Sequence, residues 1–526
     1  GAAPVAAVVL DMGDFARLRR YAANLSSEAY DLQLGLCYER LDALLVELER
    51  VLGPPSDELA YVLTSPSSES GLAPLAISGW SFGAGLLTSP TTRRAGLVAN
   101  LDFAPTILAG LGVDPAWECD GAAMVQAAST PPGSAGAIET PGAPTDYVVL
   151  AMLTEQTLVG AAQARGPVLR LFIGLLVVAV FGLLGVIVLN RRAPRWSMQP
   201  VRALLVASSA APFLLLAGPI VGVSGTAAST VLLIGGCAAI ALLMVRVSGS
   251  AMWSVVLLSG ATAAVIAADA FTGGRLASTS LLGHSAVLGA RYYGIGNELM
   301  GVLVGSAAVA GAGLSRVAWL PATAAGAAMI MLGHPSIGAN FGGMVSAAVT
   351  SVAIAAMAIA RRPLSARQNC SRCSSLAALA GVSLAAMGAS VALILLDARN
   401  PEASHIGRAW RTLTQQAGGS GQLAAIVLRK LAMNIRLLKY TAWTQVLIAF
   451  LVILGAMAAG ARGAFQRFRR DHFGLYAAFM GGLAGALAAM AVNDSGVVAC
   501  ATLAMMPTLA MLGYAADELA ARGAEQ

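Results

Sequence analysis

Three short polar stretches rich in glycine interrupt a chain that is otherwise mostly apolar. They are "GARYYGIGNELMG" (Gly289–Gly301), "GHPSIGANFGG" (Gly333–Gly343) and "NDSG" (Asn493–Gly496). Each stretch leads into an apolar run, which predicts that it forms the start of a helix. The first backbone N–H groups of a helix have no intrahelical partner and carry the positive end of the helix dipole. If the three helix starts converge, they are expected to form an anion-binding site like those of transporters with broken helices.

The residue types in these stretches suit such a site. Asn, Ser and Asp are favourable N-caps, and glycine lets a ligand approach the backbone closely. Arginine can hold a phosphate or a carboxylate through two parallel hydrogen bonds, and Arg291 is the candidate for this role, with Arg408 or Arg411 from a long loop beside it. The predicted substrate-binding residues are Arg291, Tyr292, Tyr293, Gly294, Gly296, Asn297, Glu298, His334, Ser336, Gly338, Asn340, Gly342, Gly343, His405, Arg408, Asn493, Asp494, Ser495 and Gly496.

Two carboxylates in the same stretches, Glu298 and Asp494, need a separate explanation because a carboxylate repels an anion. They would hold a cation that bridges to the ligand (Mg²⁺, Na⁺ or a proton), or they would act as acid and base in catalysis. The sequence assigns no further catalytic residue, no certain cofactor and no metal site. His334 and His405 lie far apart in the chain and make a weak case for zinc.

A plainer interpretation stays open for these residues. The asparagines at positions 297, 340 and 493 would then only cap helices, and Glu298 would pair with Arg291. Capping alone does not explain why three such stretches precede helices that are predicted to start on the same side of a membrane.

The composition predicts a membrane protein. Hydrophobic residues make up 57% of the 526 residues and charged residues only 11%, with a mean hydropathy of +0.73. Apolar runs of about 17–23 residues, the length that crosses a bilayer, recur through most of the chain. The formal net charge of +6 falls in short loops between these runs, which indicates membrane orientation and excludes nucleic acid as the expected partner.

We predict a mostly α-helical fold, a polytopic membrane bundle of about 11 spans preceded by a partial α/β extracytoplasmic domain. The domains are an α/β segment at 1–127, a linker and juxtamembrane helix at 128–165, and a multi-pass membrane domain at 166–526. The spans are predicted to begin near Val168, Val201, Thr230, Met252, Asn297, Val317, Phe341, Leu376, Thr441, Phe473 and Ser495. In the first domain, the patterns predict a helix that ends at Gly53 and buried strands around "VAAVVL", "LAYVLTS" and "LAPLAISG".

The short loops predict the orientation of the spans. Arginines cluster after the first, seventh and ninth spans, whereas the loops after the second, sixth and tenth contain no Lys or Arg. The positive-inside rule then places the N-terminal domain outside and the C-terminus in the cytoplasm. An external loop at about 398–440 is basic, and its second half, "GQLAAIVLRKLAMNIRLLKY", is amphipathic, which predicts a helix lying in the membrane interface. The alternative is that the spans are miscounted by one.

Part of the N-terminal domain carries a family pattern. The segment from Ala73 to Val113 contains "DFAPTILAGLG", which begins at Asp102, and "DGAAM" follows at Asp120. This pattern resembles the C-terminal half of alkaline-phosphatase/sulfatase superfamily domains, and the resemblance covers about a quarter of the chain. It implies that the half bearing the nucleophile would precede Gly1. It also implies a layout similar to that of the ethanolamine-phosphate transferases of glycolipid-anchor assembly.

The pattern departs from that family at the metal ligands. The resemblance implies histidine ligands near the position of "LTSPSSES" (Leu63–Ser70), but no histidine occurs before His284. We therefore expect the domain to be a degenerate, catalytically inactive relative of the phosphatases.

These observations predict a multi-pass protein of a bacterial plasma membrane that acts in the cell envelope. It is expected to bind, and to translocate or present, an anionic and lipid-linked phosphate at the external membrane face. Two alternatives stay open, a membrane-embedded phospho-group transferase or hydrolase and a non-catalytic scaffold. Membrane lipids are the expected partners, and the oligomeric state is not predicted.

Overall fold

The computed structural model describes residues 7–65, 71–113, 119, 121–127, 144–189, 195–289, 291–314, 319–361, 419–460 and 462–522, together with scattered positions between 381 and 399. The chain divides into two compact units, Gly1–Val159 and Gly160–Gln526. The predicted eighth span, which begins near Leu376, falls largely outside the described residues, as do His405, Arg408 and Arg411.

Apart from the beginning of a long helix that continues into the second unit, the described part of the first unit contains three α-helices and four short strands. In chain order they are α1 (Asp14–Tyr21), α2 (Ser27–Leu52), β1 (Tyr61–Thr64), β2 (Leu75–Ser78), β3 (Leu87–Thr88), α3 (Phe103–Gly110) and β4 (Val125–Gln126). The Ser26 hydroxyl caps α2, and Gly53 ends it at a φ of 97°, as the Gly-Pro pair predicts. The strands form two antiparallel pairs, β1 with β2 and β3 with β4.

The predicted α/β layer is not seen in the part of this unit that the structure describes. Both β1 and β2 are half-buried or exposed instead of buried, since each has one neighbour strand and no helix layer covering both faces. Val8 and Val9, from the first predicted strand, are 80% and 91% exposed and form no strand. A run of β-branched residues needs a partner strand to become a sheet, and sequence alone does not supply that partner.

Asp102 organises the segment that resembles the phosphatases. Its buried carboxylate accepts hydrogen bonds from the Ser89 hydroxyl (2.7 Å), the Thr91 hydroxyl (2.6 Å) and the Ala122 backbone N–H (3.0 Å). The carboxylate therefore joins the start of α3 to the segment that follows Asp120.

The second unit is a helical bundle. Its helices are α4 (Pro144–Leu189, which begins in the first unit), α5 (Arg195–Ala217), α6 (Thr226–Val231), α7 (Cys237–Ser248), α8 (Ala251–Phe271), α9 (Arg275–Thr279), α10 (Asn297–Leu314), α11 (Leu320–Gly333), α12 (Phe341–Ala360), α13 (Gly419–Tyr440), α14 (Trp443–Gly460), α15 (Arg462–Asp471), α16 (Phe473–Val492) and α17 (Gly496–Arg522). A π-helical stretch at Leu232–Gly236 joins α6 to α7.

Among the described residues, eight helices are long and apolar enough to cross a membrane, or nine if the bent pair α13–α14 counts as one span. The eight are Tyr147–Ile187, Met198–Val221, Thr226–Ser248, Ala251–Phe271, Asn297–Leu314, Phe341–Ala360, Phe473–Val492 and Gly496–Arg522. The chain is thus a multi-pass membrane protein, but the predicted count of 11 spans is not confirmed. One reason is that the apolar run near Val317 forms only the shorter helix α11, because the chain turns at His334.

α17 is the axis of the bundle. Its apolar window is 100% buried, and it packs against α5, α8, α10, α14 and α16. Glycines make the closest of these contacts possible, because a Cβ at Gly482 would lie 2.9 Å from Pro507 Cγ and one at Gly301 would overlap the Thr502 hydroxyl. This small-residue packing is the usual way in which helices associate inside a membrane.

A buried ion pair fixes the far end of α17. The Asp517 carboxylate accepts hydrogen bonds from Arg202 Nε (2.8 Å), the Ser250 hydroxyl (2.7 Å) and the first backbone N–H groups of α8, at Ala251 (3.0 Å) and Met252 (3.1 Å). Arg202 also donates to the Gly249 carbonyl. α5, α8 and α17 are therefore joined through one carboxylate.

Candidate functional site

The three polar stretches form the starts of α10, α12 and α17, and the structure brings these starts together. Asn297 begins α10, Asn340 is the N-cap of α12, and Ser495 directly precedes α17. We call residues 291–298, 334–343 and 493–496 the helix-start junction. The convergence follows from the bundle packing, since α10 contacts both α12 and α17.

Asn340 is the central connection of the junction. It is 3% exposed, and its side-chain oxygen accepts a hydrogen bond from the Gly343 N–H at 2.8 Å, which caps α12. Its amide nitrogen donates to the Ile295 carbonyl at 2.8 Å and to the Asn297 side-chain oxygen at 3.1 Å. One side chain thus caps its own helix and binds the segment before α10.

Asn297 extends this connection to α17. Its side-chain nitrogen donates to the Ser495 hydroxyl at 2.6 Å, although the two residues are 198 positions apart in the chain. A continuous chain of hydrogen bonds therefore joins the starts of all three helices.

Two glycines of the junction leave space that neighbouring protein atoms occupy. Gly294 has a φ of 75°, and a Cβ at this position would overlap the Gly338 carbonyl, which accepts a hydrogen bond from the Ile295 N–H at 2.8 Å. At Gly342, a Cβ would overlap the Asn493 side chain. At these two glycines the approaching group is a protein atom, where the sequence predicted a ligand.

Arg291 differs from the other charged residues of the junction. Its guanidinium donates from Nη1 to the Ile295 carbonyl (3.1 Å) and the Ala339 carbonyl (3.3 Å). No ion pair joins it to any carboxylate in the part of the chain that the structure describes. Burial lowers the pKa of Arg291, whereas Tyr293, Asp494 and Glu298 raise it. A guanidinium remains protonated in proteins, so Arg291 is a half-buried cation held by neutral groups.

Both carboxylates of the junction, in contrast, have basic partners from other helices. Glu298 Oε1 lies 2.8 Å from Arg165 of α4, and these side chains are 20% and 18% exposed. Asp494 lies 3.5 Å from Lys430 of α13 and is 67% exposed. The predicted alternative, a pair between Glu298 and Arg291, is not formed, because Arg165 occupies that carboxylate.

α13 supplies a further residue to the junction. The Asn434 side-chain oxygen accepts a hydrogen bond from the Gly496 N–H at 2.7 Å, and its nitrogen donates to the carbonyls of Met490 (3.1 Å) and Asn493 (3.3 Å). Lys430 donates to the Val492 carbonyl at 2.8 Å. α13 thus caps α17 and closes the turn between α16 and α17.

Sequence reasoning missed Arg165, Lys430 and Asn434 as members of this site. A signal existed for Arg165, a charge just before the apolar run that begins at Val168. Lys430 and Asn434 stand four residues apart, which places them on one face of the predicted amphipathic helix. The backbone groups that these two side chains bind lie more than 50 positions away in the chain, and no local sequence pattern predicts a contact over such a separation.

The remaining predicted residues have mainly local contacts. His334 ends α11, and its Nδ1 accepts a hydrogen bond from the Ser336 N–H at 3.2 Å. Asn493 donates to the Ala489 carbonyl at 3.0 Å. Tyr292 and Tyr293 are half-buried beside Arg291.

The chemistry of the junction is that of a polar site with an excess of positive charge. Among the described residues, Arg165 and Lys430 pair with the two carboxylates, and Arg291 adds a further positive charge. Within the described ranges, no three His, Cys, Asp or Glu side chains come together in a way that could hold a metal ion. The described donors and basic side chains of the junction are groups that can contact an anion.

Comparison of the chain with models of protein families, with curated proteins and with solved structures finds no match. The resemblance of the N-terminal segment to the phosphatases therefore has only its sequence pattern as support.

Proposed function

We propose that this membrane protein binds an anionic group, a phosphate in our preferred version, at the helix-start junction. The single observation that supports this proposal is the state of Arg291. The other two basic side chains of the junction face carboxylates, whereas Arg291 is half-buried and bonded only to carbonyls among the described residues. Burying a cation at this depth costs free energy unless an anion pairs with it.

The guanidinium has the geometry for this task. Its hydrogen bonds to the Ile295 and Ala339 carbonyls both start from Nη1, which orients the group, and no described residue accepts a hydrogen bond from Nη2 or Nε. Two parallel N–H donors match two oxygens of a phosphate or carboxylate. The starts of α10, α12 and α17 add dipoles that favour negative charge in the same place.

The wider proposal is that the bound group is a lipid-linked phosphate, which the protein translocates or presents at the external face of a bacterial plasma membrane. The distribution of arginine in the loops supports this orientation, because it places the junction on the side opposite the arginine clusters. The N-terminal segment would act as an external recognition module. Support for a degenerate phosphatase-like domain is its motif and the contact of Asp102 with the segment after Asp120.

The ion pairs argue against the enzyme alternative. A general base or a Mg²⁺ ligand needs an available carboxylate, but Glu298 is bound by Arg165 and Asp494 faces Lys430. The scaffold alternative gains support from the hydrogen bonds that close the junction internally. It does not account for Arg291, which forms no ion pair within the described part of the chain.

Ligand binding in detergent tests the proposal. The purified protein is titrated with dihexanoyl phosphatidic acid, inorganic phosphate and, as the uncharged control, dihexanoylglycerol. We expect Arg291→Gln to weaken binding of the phosphate-bearing ligands by at least about tenfold, the effect of losing hydrogen bonds to a charged group. Arg246→Gln, which removes an exposed arginine at the end of α7, is the matched control and should bind like the wild type.

The result also separates the alternatives. If Arg291→Gln binds the phosphate ligands as tightly as the wild type does, the junction is not the anion site. If neither protein binds any of these ligands and both unfold at the same temperature, a scaffold is the better description.

A further inference from the structure

α13 lies across the bundle at the level of the helix-start junction. The segments Leu428–Tyr440 and Trp443–Ala458 meet at an angle of 83°. The second of them belongs to α14, which packs along α17 and buries Val446, Ala449 and Ile453 almost completely. Since α14 runs with the bundle, α13 extends nearly parallel to the membrane plane.

The residues of α13 fall into three groups around its axis. At 100° per residue, Leu428, Ile435 and Leu438 fall within one arc of about 80°. They are 66%, 60% and 40% exposed, respectively. An apolar stripe on this helix is thus uncovered by the protein.

The second group makes the contact with the bundle. Asn434 is 8% exposed and Lys430 is half-buried, and both bind the turn between α16 and α17. α13 therefore presents polar atoms to the protein and apolar side chains to its surroundings, the reverse of a helix on a soluble domain.

The third group is basic. Arg429 and Arg436 are exposed on the side of α13 away from the apolar stripe, and Lys439 is exposed at the border of that stripe. A helix in a membrane interface has this pattern, since its apolar stripe lies against acyl chains while its basic residues meet anionic headgroups.

We propose that α13 lies in the membrane interface and delivers an anionic phospholipid from the bilayer to the helix-start junction. This inference depends on the proposed function, because it names the source of the phosphate that Arg291 binds. The phospholipid is the occupant that fits both outward groups of α13, acyl chains at the apolar stripe and a phosphate at the basic residues.

Lys430 connects α13 to the helix-start junction. It faces Asp494 at 3.5 Å, and Asp494 in turn acts electrostatically on Arg291. An incoming phosphate can replace the Asp494 carboxylate at Lys430 and then reach Arg291. The Lys430–Asp494 pair therefore stands between α13 and the site.

Capture of a lipid from a bilayer tests this route. The full chain is placed in nanodiscs of phosphatidylcholine containing some phosphatidic acid, and the lipid retained after detergent extraction is measured by mass spectrometry. The variant Ile435→Asp puts a charge into the apolar stripe. Its matched control is Met433→Asp, which adds the same charge to an exposed residue on nearly the opposite side of the helix.

We expect Ile435→Asp to lower the retained phosphatidic acid by about tenfold and Met433→Asp to leave it unchanged. In detergent, where the ligand needs no bilayer route, all three proteins should bind dihexanoyl phosphatidic acid equally. Equal retention by Ile435→Asp and the wild type in nanodiscs would overturn the lateral route, while Arg291-dependent binding in detergent would leave the anion site in place.

A second measurement covers the case in which Ile435→Asp fails to fold. The variants Ile435→Trp and Met433→Trp are compared, and quenching of the introduced tryptophan by phospholipids brominated on the acyl chain is recorded. We expect stronger quenching at 435 than at 433, and equal quenching would overturn the interfacial position of α13 whatever the ligand binds.

Discussion

At the Gly496 end of α17, Arg291 forms no ion pair with any described residue, whereas at the Asp517 end every hydrogen-bonding direction of the carboxylate is used. Both ends combine a helix start, a carboxylate and an arginine. At the Asp517 end, the carboxylate binds Arg202, Ser250 and the first N–H groups of α8. At the junction, asparagine and serine side chains bind one another, and Arg291 is bonded only to carbonyls among the described residues.

The comparison shows how to separate a structural polar group from a binding one inside a membrane. Buried polar groups are costly, so a network that serves only the fold is expected to satisfy its members with protein atoms. The Asp517 network does so. The junction satisfies its helix caps, but no described carboxylate pairs with Arg291. This is the property expected of a site for an anion.

The largest expected effect lies at the Asp517 end. Asp517→Ala leaves Arg202, whose side chain is 8% exposed, without its carboxylate, and breaking such a buried pair costs about 3–5 kcal/mol. We expect this loss in the free energy of unfolding, measured by denaturation in mixed micelles. Asp471→Ala, which removes an exposed pair with Arg470, is the control and should cost much less. If the two variants lose the same free energy of unfolding, the buried pair contributes no more to stability than the exposed pair does.

A second prediction concerns the junction as structure. Asn340→Asp keeps a good N-cap for α12 but loses the donor to Ile295 and Asn297 and places a charge beside their oxygens. We expect the free energy of unfolding to fall by about 1–3 kcal/mol, the penalty for unsatisfied buried polar groups. A variant as stable as the wild type would show that Asn340 serves only as a cap.

The third prediction separates binding from catalysis. Glu298→Gln removes a negative charge near Arg291 and frees Arg165, so affinity for dihexanoyl phosphatidic acid should rise by about 1 kcal/mol, or several-fold. If Glu298 holds a bridging cation, the same change should weaken binding instead. Titration in detergent with and without Mg²⁺ distinguishes the two results.

The sequence predicted the helix starts of the bundle closely and the ion pairs hardly at all. The runs that begin at Asn297, Phe341 and Phe473 start at those residues in the structure, because run length and capping residues are local properties. The convergence of the three stretches followed from alternating span direction. The pair between Arg165 and Glu298 joins residues 133 positions apart and depends on packing that no local pattern encodes.

The smallest expected effect is a pH dependence at the end of the bundle that contains Asp517. His472 precedes α16 and contacts the rings of Trp253 and Tyr514; burial lowers its pKa, which Asp471 partly offsets. The unfolded chain then takes up the proton first, so stability is lost as the pH falls below the ordinary histidine value of about 6.5. We expect His472→Phe to reduce the fall in unfolding temperature between about pH 7 and pH 5.5. If the unfolding temperature of His472→Phe falls as much as that of the wild type, groups other than His472 cause the pH dependence.

The burial of α17 also constrains the order in which the protein is assembled. This helix follows α5, α8, α10, α14 and α16 in the chain, yet it packs against all of them. Membrane helices enter the bilayer as they are synthesised and associate afterwards. The earlier helices are therefore inserted before α17 has been made. Until then, the grooves lined by their small residues lack the helix that fills them in the bundle. A chain that stops short of Gly496 would therefore consist of inserted helices without the axis that joins them in the bundle.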